Sequence, residues 1–260
     1  MQSYGICWTD DCMIARLTTD ADLERIAAGG WPGLRQAWLG DWLLRAGTGW
    51  TGRANSVLPI GDPGLPLDDA LTRVHEWYAE QGLPPLFQVA LPCCAPLDQA
   101  LQERGWEPYN FSGVLTADVA DVLATTPAGP VPRVELRETP DADWLAAYNY
   151  RGGALPPGAE ETLRAGDRPL FARIEADGRI VAIGRFSVSG PWVGVTAVEV
   201  DPAARRRGLA GHLMREGLRQ LSATACYLQV ADTNAPALAL YARLGFFRHH
   251  SYRYLREKTR

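Results

Sequence analysis

The sequence predicts an α/β protein built from two copies of one unit, and three observations carry that prediction. The first is a strand, a basic turn and a helix in succession. Val195 to Val200 reads as a short β-run, Asp201-Pro202 stops it, and after Arg205-Arg206-Arg207-Gly208 apolar residues recur at Leu209, Leu213, Met214, Leu218 and Leu221 with helical spacing. The second is an internal repeat. LFQVALPCCAPLDQALQERGW, ending at Trp106, sits against YLQVADTNAPALALYARLGF, ending at Phe246, with Pro96 and Pro236, and likewise Gly105 and Gly245, 140 residues apart. The third is Ala124 to Pro132, ATTPAGPVP, which lacks periodicity and divides the chain into residues 1–123 and 133–260.

In order, residues 1–20 are weakly patterned, and Asp22 to Ala28 predicts a short helix ended by Gly29-Gly30 and Trp31-Pro32. Trp38 to Ile60 is β-rich around a Gly47-Thr48-Gly49 turn. Gly61 to Pro66 is a loop, followed by a helix with Leu67, Leu71, Val74 and Tyr78 on one face. A strand at Leu86 to Leu91, a helix from Pro96 to Arg104 and a strand at Phe111 to Ala117 close the first unit. The second opens with a strand at Val134 to Arg137, a helix near Asp141 to Tyr150, a loop at Arg151 to Pro157 and a helix near Ala159 to Arg164. Phe171 to Ile174 and Ile180 to Phe186 form a hairpin turned at Asp177-Gly178, where glycine supplies a positive φ. After the strand and helix described above come a strand at Tyr227 to Ala231 and a helix from Ala235 to Leu244. Asn234 stands at its N-cap, Pro236 in its first turn and Gly245 at its C′ position.

Composition excludes several classes. With 26 basic and 30 acidic residues the formal net charge is -4, which argues against a nucleic-acid binder held by bulk charge. Lys258 is the only lysine, so a lysine nucleophile or Schiff base near the core is excluded. Cys7, Cys12, Cys93, Cys94 and Cys226 lack paired metal-ligand spacing, and a reducing cytoplasm is expected. No apolar run approaches about 18 residues and no leader pattern is present, so a soluble, unprocessed protein away from membranes is expected.

The helix after Gly208 is where an anion belongs, because its first N–H groups have no intrahelical partner and carry the positive end of the helix dipole. The first unit has Gly61 to Pro66 there instead, with Leu101 and Cys94 in place of Tyr241 and Asn234. The second unit keeps a plausible site that the first lacks. Asn234 reads equally as a cap and as a ligand contact.

These two stretches resemble the GNAT acetyltransferase superfamily in its tandem form. Arg205-Arg206-Arg207-Gly208-Leu209-Ala210 resembles its Arg/Gln-x-x-Gly-x-Gly/Ala signature, and Asn234, Tyr241, Gly245 and Phe246 its strand-Asn, helix-Tyr, Gly-Phe signature. Arg53 to Pro59 also resembles a segment of tandem members. The resemblance implies two GNAT-type domains, each a mixed, mostly antiparallel twisted sheet flanked by helices, the first degenerate. It implies acetyl-CoA as co-substrate, its diphosphate on the backbone of Arg206 to Gly211, and its pantetheine arm along Val198 and Val200 where that strand splays from Tyr227–Ala231. Tyr241 matches the general acid.

The general base is less clear, since the matching positions hold Gln229 and Gly194, and the nearest acid, Glu199, lies by alternation on the face opposite Val198 and Val200. A water relay or an amine of low pKa would remove the need for a base. His212 is expected to be packed or solvated; of His249 and His250 only one should point inward, and no metal is expected. Trp31, Trp38, Trp42 and Trp50 pack a core or line an acceptor cleft, and Cys226 is buried. The expected activity is direct N-acetylation of a small-molecule or peptide amine by a monomer or homodimer. The rivals are a non-catalytic acyl-CoA-binding module, and a transferase using a hydroxyl acceptor or a longer acyl group.

Overall fold

Capping and turn chemistry places the elements close to where the sequence marks them. The computed structural model describes residues 14–125, 132–148, 153 and 155–258. Cys7, Cys12, most of the linker and much of the 151–157 loop lie outside the described residues. The first half holds α1 (Ile14–Leu17), α2 (Asp20–Gly30), β1 (Arg35–Leu39), β2 (Trp42–Ala46), β3 (Val57–Leu58), α3 (Leu67–Glu80), β4 (Leu86–Leu91), α4 (Ala95–Glu103), β5 (Trp106–Asp118) and α5 (Val119–Thr125). The second holds β6 (Val134–Arg137), α6 (Ala142–Ala147), α7 (Ala159–Arg164), β7 (Pro169–Ala176), β8 (Arg179–Ser189), β9 (Trp192–Val200), α8 (Leu209–Arg219), β10 (Ala225–Ala231), α9 (Ala235–Arg243) and β11 (Phe247–Glu257).

Thr19 caps α2 by accepting from the Asp22 amide at 3.1 Å, which starts that helix earlier than its apolar pattern. The β7–β8 turn has both Asp177 (φ +51°) and Gly178 (φ +72°) in the left-handed region. Gly105 and Gly245 end α4 and α9 at φ +87° and +85°, so the repeat seen in sequence is a repeat of backbone conformation.

The expected mixed, mostly antiparallel sheets flanked by helices are present, joined into one sheet of order β1-β2-β3-β4-β11-β5-β10-β9-β8-β7-β6. Among the described residues only β3/β4 and β9/β10 are parallel, at equivalent places in the two copies. The closing strands are exchanged. β5 runs antiparallel along β10 from Asp118↔Ala225 to Ser112↔Ala231, while β11 runs antiparallel along β4 from Leu91↔Ser251 to Leu86↔Arg256. Alternation dictates which face of a strand is buried but not its neighbour, so two like strands have two like partners. Meeting in the middle also removes two exposed edges.

The sheet therefore runs without a break through both halves. Each half keeps a core: Phe186, Val193, Leu213, Met214 and Leu228 under α8, and Val57, Leu71, Val74, Tyr78 and Phe87 under α3. Each such side chain contributes about 1.5–3 kcal/mol relative to exposure. Among the described residues no helix is long and apolar enough to cross a membrane.

Candidate active site

The site is built where β9 and β10 part. They pair from Trp192↔Ala225 to Val195↔Leu228, and the ladder ends there. On its other side β9 stays paired, with Glu199 opposite Ile183 and Val200 opposite Ala182 of β8. Between Arg185↔Thr196 and Ile183↔Glu199, β8 contributes Gly184 alone and β9 contributes Ala197 and Val198, a β-bulge with Ala197 at φ +52°. The strained backbone costs about 1–3 kcal/mol, and the bulge turns β9 away from β10, leaving the edge at Val198 and Val200 open. It also resets the alternation. Val193 and Val195 before the bulge, and Val198 and Val200 after it, all pack toward α8, so Thr196 and Glu199 share the opposite face. Nothing in the sequence marks Ala197 for this conformation.

At the mouth of the splay stands the basic turn. Gly208 is the N-cap of α8 at φ +76°, and a Cβ built there meets nothing within 4 Å. Arg206 is also left-handed, at φ +61°. Arg205 Nε donates to the Val200 carbonyl at 3.2 Å, while Arg206 and Arg207 are exposed. No acid lies in the first turn of α8. Leu209 is buried, Ala210 half-buried, and a Cβ on buried Gly211 would touch Leu244 and Leu240 of the α9 region at 3.6 and 3.9 Å. The turn is thus a shallow, cationic cradle of backbone amides.

Tyr241, on α9, is half-buried, packs on Phe246 at 5.9 Å between ring centroids, and has no hydrogen-bond partner for its hydroxyl among the described residues. Burial, and then the charge of Glu199, push its pKa up to about 12. Glu199 is itself raised above the ordinary carboxylate range by burial, with Arg205 pulling the other way. Glu199 also lines a cleft of about 410 Å³ with Val200, Pro202, Arg205 and the end of α6. Asn234 is a helix cap, accepting from the Ala237 amide at 3.2 Å.

The two vacant base positions have physical explanations. A Cβ on Gly194 would lie 2.4 Å from the Tyr227 hydroxyl, so a buried tyrosine fills the space a longer side chain would need. Gln229 accepts at 3.1 Å from Arg53, a residue of the first half. The Arg53 guanidinium also lies 4.7 Å from the Trp31 ring, and that of Arg185 lies 4.9 Å from it. Arg185 is buried without a carboxylate, donating to the carbonyls of Leu163, Ala165 and Gly30, and burial lowers its pKa to about 10. Sequence reasoning missed Arg53 as a site residue; the one signal available was the likeness of Arg53 to Pro59 to tandem proteins.

Of the tryptophans, Trp31 and Trp42 are core residues, Trp50 packs on Trp31 and Tyr148 at 5.8 and 6.1 Å, and Trp38 is exposed. Cys226 is buried as expected. His212 is packed, its Nε2 2.9 Å from the Pro132 carbonyl and its Nδ1 3.1 Å from Arg215. The expectation that only one of His249 and His250 points inward is corrected: the side chains are 7% and 0% exposed. A register shift in β11 between Arg248 and His250 breaks the alternation there. The premise that these histidines have no metal-ligand company also fails, since the fold brings Asp20 to them.

Solved structures that share this fold include GNAT proteins. A GCN5-related N-acetyltransferase from Kribbella flavida superposes with a TM-score of 0.70 over 94% of this chain and 97% of its own, at 18% identity. A tandem GNAT protein from the clavulanic acid biosynthesis pathway does so with a TM-score of 0.59 over 82% of this chain and 76% of its own, at 14% identity. The fold is that of the GNAT acetyltransferases, which use acetyl-CoA. The chain belongs to the family described as probable histone acetyltransferase Rv0428c C-terminal, whose model matches residues 20–255. The probable histone acetyltransferase Rv0428c of Mycobacterium tuberculosis is 31% identical over 265 residues, 94% of this chain and 79% of that protein. The protein is an acetyl-CoA-dependent acyltransferase.

Proposed function

We propose that the chain N-acetylates a primary amine of a small molecule or peptide by direct transfer within a ternary complex. The observation that carries this reading is the β9/β10 splay, which leaves the edge at Val198 and Val200 open beside the left-handed Gly208 turn, with burial favouring the neutral forms of Glu199 and Tyr241. Acetyl-CoA supplies the thioester. The open edge at Val198 and Val200 binds the pantetheine amides, the turn from Arg205 to Gly211 binds the diphosphate, and Asn234 orients the start of α9 beside it. Glu199, when ionised, takes a proton from the acceptor ammonium; Tyr241 keeps its proton and gives it to the departing thiolate. Residues 133–260 act as the donor domain. Residues 1–123 act as a partner domain that supplies Arg53 and Trp31 to the acceptor side. The free thiols of Cys93, Cys94 and Cys226 support a reducing, cytoplasmic setting.

The test is thiol release from acetyl-CoA over a panel of amines and alcohols, with the product identified by mass. Turnover with amines and an acetylated amine product supports the reading. CoA binding without turnover on any acceptor would favour a non-catalytic acyl-CoA-binding module, a reading motivated by the absent carboxylates at Gln229 and Gly194.

A further inference from the structure

Away from the splay, on the first-half side of the sheet, three ligand-type side chains converge. His249 Nδ1 and His250 Nδ1 are 2.9 Å apart, and Asp20 Oδ1 lies 3.3 Å from the first and 3.8 Å from the second. The other nitrogen of each ring is already engaged. His249 Nε2 donates to the Thr18 carbonyl at 2.8 Å, and His250 Nε2 donates to the buried Glu24 carboxylate at 2.9 Å. A carbonyl and a carboxylate only accept, so both rings carry hydrogen on Nε2 and turn Nδ1 toward each other. Two Nδ1 atoms 2.9 Å apart beside a carboxylate require a positive charge among them, a proton or a metal cation.

We propose that Asp20, His249 and His250 bind a divalent transition-metal ion of the zinc class. Two imidazoles and one carboxylate form a donor set suited to zinc and its neighbours rather than to magnesium or calcium. Ligands about 2.0–2.1 Å from zinc are about 3.0–3.4 Å from one another; the 3.3 Å separation already matches, and the 2.9 and 3.8 Å separations lie on either side of it. The support around the ligands is that of a metal site: imidazoles fixed in tautomer and orientation by acceptors on their far nitrogens. Glu24 is held in turn by Gln88 Nε2 at 2.8 Å, and Gln88 Oε1 accepts from buried Arg45 at 3.0 Å. Asp20, 21% exposed, is the solvent-facing ligand and the route of entry. The ion ties the first turn of α2 to the bulge of β11, and so joins the two ends of the chain.

The test uses the full chain without a histidine tag, loaded with zinc, desalted and assayed for metal by mass spectrometry, beside Asp20→Asn and His249→Gln variants whose fold is checked by circular dichroism. About one zinc per chain is expected in the wild type and below about one tenth in both variants, with a zinc-dependent rise in Tm of several degrees in the wild type alone. Cobalt(II) in the wild-type chain should give the intense visible bands of a four- or five-coordinate ion. A wild-type chain that retains no metal and leaves the cobalt spectrum that of the hydrated ion overturns the proposal in favour of a shared proton. Equal retention by both folded variants places the ion elsewhere and overturns it as well.

Discussion

The two halves carry the same local architecture and differ at the three points where a donor would bind. In the second half β9 bulges at Ala197 and leaves β10 after Val195; in the first, β3 is two residues long, pairs with β4 only at Val57↔Phe87, and is closed by Pro59. The helix that follows differs too. α8 starts at left-handed Gly208 behind three arginines, whereas α3 starts at Pro66 and has Asp68 and Asp69 in its first turn. Those carboxylates already answer the helix dipole, and Arg104 holds Asp68 at 2.8 Å, below the usual carboxylate range. Last, the Tyr241 hydroxyl has no hydrogen-bond partner among the described residues, while its counterpart Leu101 is 0% exposed. The first half thus keeps the local architecture and lacks all three features.

The largest effect should come from the turn. In Gly208→Val the branched side chain occupies the space open to a phosphate and forces a left-handed residue, at about 1–2 kcal/mol of strain. We expect no measurable CoA binding by calorimetry in a chain that still unfolds cooperatively. The matched change in the first half, Gly64→Val, also falls on an open left-handed glycine, at φ +72°, and should leave CoA affinity unchanged. Equal losses in both would break the comparison. Next in size is Tyr241→Phe, with turnover down about 10³-fold and CoA affinity retained. Unaltered turnover would remove the acid role.

Glu199→Gln should lower kcat/KM about 100-fold and change the shape of the pH profile. Burial raises the Glu199 pKa, so the base form is lost as pH falls at higher values than for an ordinary glutamate, and the acidic limb of the wild type should lie above the glutamate range. That limb should vanish in the variant, and a limb that persists assigns it to another group. Tyr241, with its pKa near 12, contributes no basic limb near neutrality. Arg53→Ala should raise the acceptor KM about 10-fold without touching CoA affinity. A KM unchanged across the amine panel would remove the first half from acceptor binding.

What the sequence made legible follows from how far each signal reaches. The turn at Gly208, the caps at Asn234 and Gly245 and the repeat are local, dictated by dihedral angles and unsatisfied N–H groups within a few residues. The exchange of β5 and β11 was not legible, because alternation names a face and not a neighbour. The Arg53–Gln229 contact and the meeting of Asp20 with His249 and His250 join residues at opposite ends of the chain, and each depends on that exchange or on a bulge. Glu199 sits between these cases: its face was readable, and its burial beside Tyr241 was not.

The smallest expected effect sharpens which part of the turn separates the halves. Gly211 is three residues past Gly208, has no positive φ, and a Cβ there meets Leu244 and Leu240 at ordinary contact distances of 3.6 and 3.9 Å. Alanine therefore fits without displacing its neighbours and favours the helix by about 1 kcal/mol. Gly211→Ala should raise Tm by about 2–4 °C and leave CoA affinity within about twofold, since an amide and not a side chain faces the phosphate. A loss of affinity near that of Gly208→Val would mean that the diphosphate lies deeper along α8 than the mouth of the splay. The comparison with α3 would then rest on the gap between α8 and α9 rather than on the arginine turn.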